Sequence, residues 1–130
     1  MKKIIESQAG QALVTLLFLA VMGMTIALAA AVFIFQNMQA SSDTQQGIYA
    51  YYIAESGIEE GILRMLRNPA YSGTPPGQPL YINGGSVVIS TSSGGIITAV
   101  GTYQNSVRQI QVKTVYNNGM LTIQSWKEVN

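Results

Sequence analysis

The residues best spaced for chemistry in this chain are Glu55 with Glu59 and Glu60 with Arg64, each pair one helical turn apart. Carboxylates four residues apart share a helix face, so Glu55 and Glu59 have the spacing to share a cation or a proton; the same spacing suits a solvated face. Glu60 and Arg64 carry opposite signs, as in an ordinary exposed helix pair. The rest of the composition narrows the chemistry sharply. There is no histidine and no cysteine, which excludes a Ser-His-acid triad, His-ligated zinc, a histidine general base, a thiol nucleophile and a disulfide framework. No catalytic, cofactor-binding or metal-ligating set is assigned, and the expectation is a protein that is not an enzyme.

Other residues suit contacts better than reactions. Gly57 and Gly61 have small-xxx-small spacing, which lets two helices approach closely or lets one helix lie close to a sheet. Tyr49, Tyr51 and Tyr52 suit a partner or a membrane interface, with at least one expected to pack beneath a sheet. Trp126, the only tryptophan, has no aromatic cluster around it in sequence, which favours core or sheet-edge packing over a stacking platform.

The element that dominates the chain lies upstream of these residues. Residues 7–42 contain no charge, and their apolar heart, 12–35, carries Leu, Ala, Val, Ile, Met and Phe around the whole helical circumference. As a helix it would span about 36 Å, against about 30 Å of bilayer hydrocarbon. Lys2 and Lys3 precede it and Asp43 is the first charge after it, so the positive-inside rule predicts a cytoplasmic N-terminus and an extracytoplasmic remainder. An ordinary secretory signal has a shorter apolar region with small residues after it. Here Ala9 and Gly10 come before it.

Beyond the span, residues 36–67 run without proline and stop at Asn68-Pro69, where a helix is expected to end. Tyr51, Ala54, Ile58, Ile62 and Met65 recur at helical spacing and predict an apolar face for a sheet. Residues 69–79, rich in Pro, Gly and Ser, read as an exposed connector. Val87 to Ile89, Ile96 to Val100, Val107 to Tyr116 and Met120 to Trp126 are β-branched or aromatic and divided by Gly or Asn turns. They predict about four antiparallel strands, with a tight hairpin at Asn117-Asn118-Gly119. The fold class is α+β: a long N-terminal transmembrane and stalk helix with a small sheet on its distal half.

Gly10 followed by Gln11-Ala12-Leu13-Val14-Thr15-Leu16-Leu17 resembles the processing region of type IV pilin-like precursors. That resemblance implies a leader at 1–10, cut by a prepilin peptidase between Gly10 and Gln11, and a mature apolar helix that first anchors the subunit and later packs in a filament core. The family usually carries an aromatic where Gln11 stands and a glutamate where Thr15 stands. Loss of that glutamate resembles minor pilins and the K-type pseudopilins of type II secretion, while the Gly-Gln-Ala-Leu-Val string is similar to Tad-type pseudopilins. The Ala54-Glu55-Ser56-Gly57 segment further resembles the distal stalk of PilX-type minor pilins.

These likenesses imply the regions 11–35 transmembrane, 36–68 stalk, 69–79 loop and 80–130 sheet. They imply a minor pilin or pseudopilin that primes or caps a filament; a major pilin and a permanently anchored binding protein are the alternatives. Implied partners are other pilins or pseudopilins, the peptidase, an inner-membrane assembly platform and membrane lipid. Without the leader, Arg64, Arg67, Arg108, Lys113 and Lys127 balance Asp43, Glu55, Glu59, Glu60 and Glu128, so no basic surface for nucleic acid is expected.

Overall fold

The computed structural model describes the backbone of residues 2–129 and the side chains of residues 10–129. The side chains of residues 1–9, Lys2 and Lys3 among them, lie outside the described residues. One helix, α1 (Lys2–Arg67), is followed by five strands: β1 (Leu80–Ile82), β2 (Gly85–Ser92), β3 (Ile96–Tyr103), β4 (Ser106–Asn117) and β5 (Met120–Val129). The chain divides into two compact units, the first ending at Ser41 and the second starting at Ser42.

The first unit is helix alone. From Gly10 onward α1 contains a stretch of mean hydropathy 2.6, none of it buried, long and apolar enough to cross a membrane as in a single-pass protein. Two hydroxyls within it bond back to the helix. The Thr15 hydroxyl donates to the Gln11 carbonyl at 2.9 Å and the Thr25 hydroxyl to the Met22 carbonyl at 2.8 Å. Bonding back to the preceding turn is how a hydroxyl avoids standing unpaired in an apolar medium.

The second unit packs the distal part of α1 against an antiparallel meander whose strands lie in chain order, β1-β2-β3-β4-β5. Helix termination follows the sequence reading: α1 ends at Arg67, and the Asn68 amide donates to the Arg64 carbonyl at 2.8 Å. Two hairpins turn on pairs of residues with positive φ, Asn83-Gly84 and Asn118-Gly119, the conformation that two-residue turns between twisted strands require. The expected four strands are five. Leu80-Tyr81-Ile82 pairs with Gly85 to Val87, and three residues behind a Pro- and Gly-rich loop give too short a pattern to be recognised by alternation.

The core is a single layer between helix and sheet. Ala50, Ile53, Ala54, Ile58 and Met65 of α1 bury against Val87 and Ile89 of β2, Ile97 and Ala99 of β3, and Ile110 and Val112 of β4, with Tyr51 and Ile62 partly buried beside them. The helix lies very close to the sheet because both surfaces are small at the crossing. A Cβ added at Gly101 would collide with the Ala50 carbonyl and lie 2.9 Å from the Ala54 Cα; one added at Gly61 would lie 3.0 Å from Ile97 and 3.1 Å from Ile89. Gly57 is tighter still, against Val87 and Ala99. Thr114 is the one polar side chain in the buried set, and its hydroxyl donates to the Gly95 carbonyl at 2.8 Å.

The connector after α1 is tied to the sheet rather than free. Thr74 exchanges hydrogen bonds with Ile89, the Thr91 hydroxyl donates to the Tyr71 carbonyl at 2.7 Å, and Gly73 bridges Ser90. Residues 71–74 thus continue the line of β1 and close that edge of β2.

Gly57→Val inserts two methyl groups where the sheet leaves no room, and overpacking of this kind costs about 1–3 kcal/mol. Gly94→Ala, whose added Cβ would meet nothing within 4 Å, should stay within about 0.5 kcal/mol of the parent. Urea unfolding of the full chain, followed by Trp126 emission, measures both.

Candidate functional site

Two places in the described residues carry features that the core does not explain. The first is the junction at Gly10. It is helical and exposed, its φ is ordinary, and a Cβ there would meet nothing within 4 Å. Glycine inside a helix costs about 1 kcal/mol relative to alanine, and no packing contact in the described residues requires one here. Gln11 and Thr15 follow on the same face and are joined through the Thr15 hydroxyl.

The second is the side of the second unit formed by one flank of α1 and the edge strand β5. At 3.6 residues per turn, Ile48, Tyr51, Tyr52, Glu55 and Ile62 share a flank adjacent to the buried stripe. Facing it is the inner side of β5. The β4–β5 register slips between Lys113 and Thr114, pairing Thr114 with Ile123 and Val112 with Trp126, so Gln124 is an extra residue on β5. Without that bulge strict alternation would send Trp126 to the outer face; with it, Leu121, Ile123 and Trp126 all point inward. A five-stranded sheet is about 19 Å wide, whereas a helix with its side chains covers about 10 Å. The helix therefore seals β2 to β4 and leaves β5 overhanging, with Ile123 47% and Trp126 37% exposed.

At one end of this side is a cavity of about 360 Å³ lined by Thr44, Gly47, Ile48, Tyr51, Tyr52, Arg108 and Glu128. Arg108 on β4 and Glu128 on β5 make an ion pair of 3.0 Å. The Arg108 guanidinium lies against Gly47 of α1, where an added Cβ would stand 3.0 Å from it. The pair is thus a strut between β5, β4 and the helix, and it stays partly open to water.

The carboxylates singled out by spacing do not converge on a site. Arg64 donates to Glu60 at 2.7 Å, and this hydrogen bond, with Tyr71 nearby, raises the arginine's pKa above its ordinary value. Glu55 and Glu59 enter no ion pair among the described residues, and no group of three His, Cys, Asp or Glu side chains there is placed to hold a metal. Glu59 lines a depression with Ser56, Glu60, Leu63 and Arg64 beside β1. Gly57 and Gly61 are both buried under the chain's own sheet. Tyr51 packs on the core and meets the exposed Tyr52 edge-on, ring centroids 6.1 Å apart, while Tyr49 lies tilted against Tyr103 at 5.0 Å. Sequence reading missed Arg108 with Glu128, a pair twenty residues apart. Gly47, four residues before Tyr51, was the available signal for a side chain crossing the helix there.

A long apolar N-terminal helix followed by an antiparallel sheet is pilin-like in general form. Comparison with known proteins adds no closer relative, since no family model, curated protein or solved structure matches the chain.

Because Arg108 and Glu128 are more than a third exposed, their coupling should be small, about 0.2–1 kcal/mol at low salt, and should shrink as salt screens it. A double-mutant cycle of Arg108→Ala and Glu128→Ala, read by urea unfolding at low and high ionic strength, tests this.

Proposed function

We propose that the chain is a minor type IV pilin-like subunit, a structural protein held in the cytoplasmic membrane by α1 and then added to an extracytoplasmic filament near its starting end. The observation that carries this reading is the fully exposed apolar stretch of α1 on the same helix that supports the sheet unit. A helix apolar on all sides needs lipid or other apolar helices around it, and a subunit that passes from membrane to filament meets both. Under this reading the N-terminus is cytoplasmic, the sheet unit is extracytoplasmic, and the partners are other pilins or pseudopilins, a prepilin peptidase and an assembly platform in the inner membrane.

Two local features support the finer claims. Gly10 is a helical glycine for which the described residues offer no packing reason, as expected of a residue kept for recognition by a peptidase. Thr15 stands where the family usually carries a glutamate, and its hydroxyl is satisfied by the Gln11 carbonyl, so that position offers no carboxylate to neutralise the N-terminal amine of a neighbour. A buried amine left without a charge partner is strongly unfavourable. A position at the filament end removes that need, which is why the priming or capping role is preferred over the repeating body.

Native membranes should contain a chain beginning at Gln11, and Gly10→Leu should retain residues 1–10, as read by intact mass. An unprocessed wild-type chain in cells with an active peptidase would instead favour a permanently anchored binding protein. Deleting the chain should lower filament number more than filament length, and labelled protein should appear at filament ends by electron microscopy. Uniform labelling along filaments would point to a major subunit.

A further inference from the structure

We propose that β5 is an acceptor edge that takes an extended segment of a different protein as a sixth strand, with apolar side chains alternating inward and an acidic residue outward. Three independent features of the second unit converge on this occupant. The two sheet edges are treated differently: residues 71–74 close β2 where the short β1 ends, whereas β5 is ten residues long and has no strand beyond it among the described residues. An uncovered edge of that length leaves a row of backbone donors and acceptors that only an extended chain can satisfy in series.

Next to that edge, the structure exposes apolar groups that alternate side chains could cover. A strand added beside β5 would point every second residue toward Ile123, Trp126 and the Ile48 and Tyr52 flank of α1, all of which are exposed. The bulge at Gln124 aligns both halves of β5 for this, because Ile123 before it and Trp126 after it face the same side. A helix laid in the same groove would cover the apolar groups and leave the backbone edge unpaired.

Charge defines the outward face. Gln111 pairs with Lys127 and Lys113 with Ser125, which puts Lys127 on the outer surface of the edge strand, with Lys113 its diagonal neighbour one strand in, on β4. Neither enters an ion pair among the described residues. Opposite charges across adjacent strands attract, and like charges repel, so an incoming strand is favoured by Asp or Glu at its outward positions. A second copy does not supply one: its acids are Glu6, Asp43, Glu55, Glu59 and Glu60 on the helix and Glu128 on the inner side of β5. The occupant is therefore a different polypeptide.

The test uses the full chain, one copy per zwitterionic lipid nanodisc, and the capped peptide Thr-Val-Glu-Val-Glu-Val-Thr-Val, with empty nanodiscs as reference. Binding should slow amide exchange along β5 and shift the emission of Trp126, the sole tryptophan, to shorter wavelength. Lysines in place of the peptide's glutamates should weaken binding about three- to tenfold, the size expected for exposed pairs, and a central proline should abolish it. Lys127→Glu should reverse the preference between the two peptides without disturbing the core, and Ile123→Asp should weaken both.

The proposal is overturned if the peptide leaves β5 exchange unchanged, if the proline peptide binds as well, or if Lys127→Glu leaves the preference as it was. Protection of β5 that rises with protein concentration in the absence of peptide would overturn it in favour of a second copy. The outcome is separable from the pilin-like reading, because leader processing and filament location can fail while peptide binding succeeds, and the reverse.

Discussion

Everything in the second unit depends on how closely α1 lies on β2 and β3. Ala50, Ala54, Gly57 and Gly61 form the helix side of that contact, and Gly101, Ala99 and Val87 the sheet side. About 50 residues of sheet form too small a body to bury a core by themselves, and the inner positions of β2 to β4 are sealed only by the helix. Close approach lets Ile58, Ile89, Ile97 and Ile110 interlock below full side-chain height, which raises the dispersion gained per residue. Small residues at the crossing are the condition for that gain, and any branched side chain there would lift the helix off the sheet.

The same contact determines what remains exposed. A helix is narrower than five strands, so sealing one part of the sheet leaves another part open. The helix seats over β2 to β4, β1 is finished by the tied connector, and the surplus falls on β5. Its bulge then directs Trp126 inward, toward an unfilled side, while Arg108 and Glu128 brace the far end of the strand against Gly47. The surface most available for a partner is thus a direct consequence of where the core closes.

Much of this was legible in the sequence, because the strong signals are long and periodic. Charge absence over 7–42, the face of Tyr51, Ala54, Ile58, Ile62 and Met65, the stop at Asn68-Pro69 and the Asn118-Gly119 turn each follow from a local rule, and the structure has all of them. β1 escaped because three residues carry too little alternation. The inward turn of Trp126 escaped because a single bulge reverses strand parity, and its position depends on pairing rather than on local propensity. Gly57 and Gly61 allowed two readings by spacing alone, and only the location of Val87, Ala99, Ile89 and Ile97 assigns their close contact to the chain's own sheet. Gly10 is different in kind: no contact among the described residues accounts for it.

The dependence of the sheet on its helix is tested most directly by hydrogen exchange on the full chain in nanodiscs across a urea series. The amides of α1 between Ala50 and Gly61 and those of β2 to β4 should lose protection together, at one urea concentration, as a single cooperative unit. Loss of helix protection at lower urea while the central strands remain protected would contradict the account, since it would show a sheet that stands without the contact assigned to hold it.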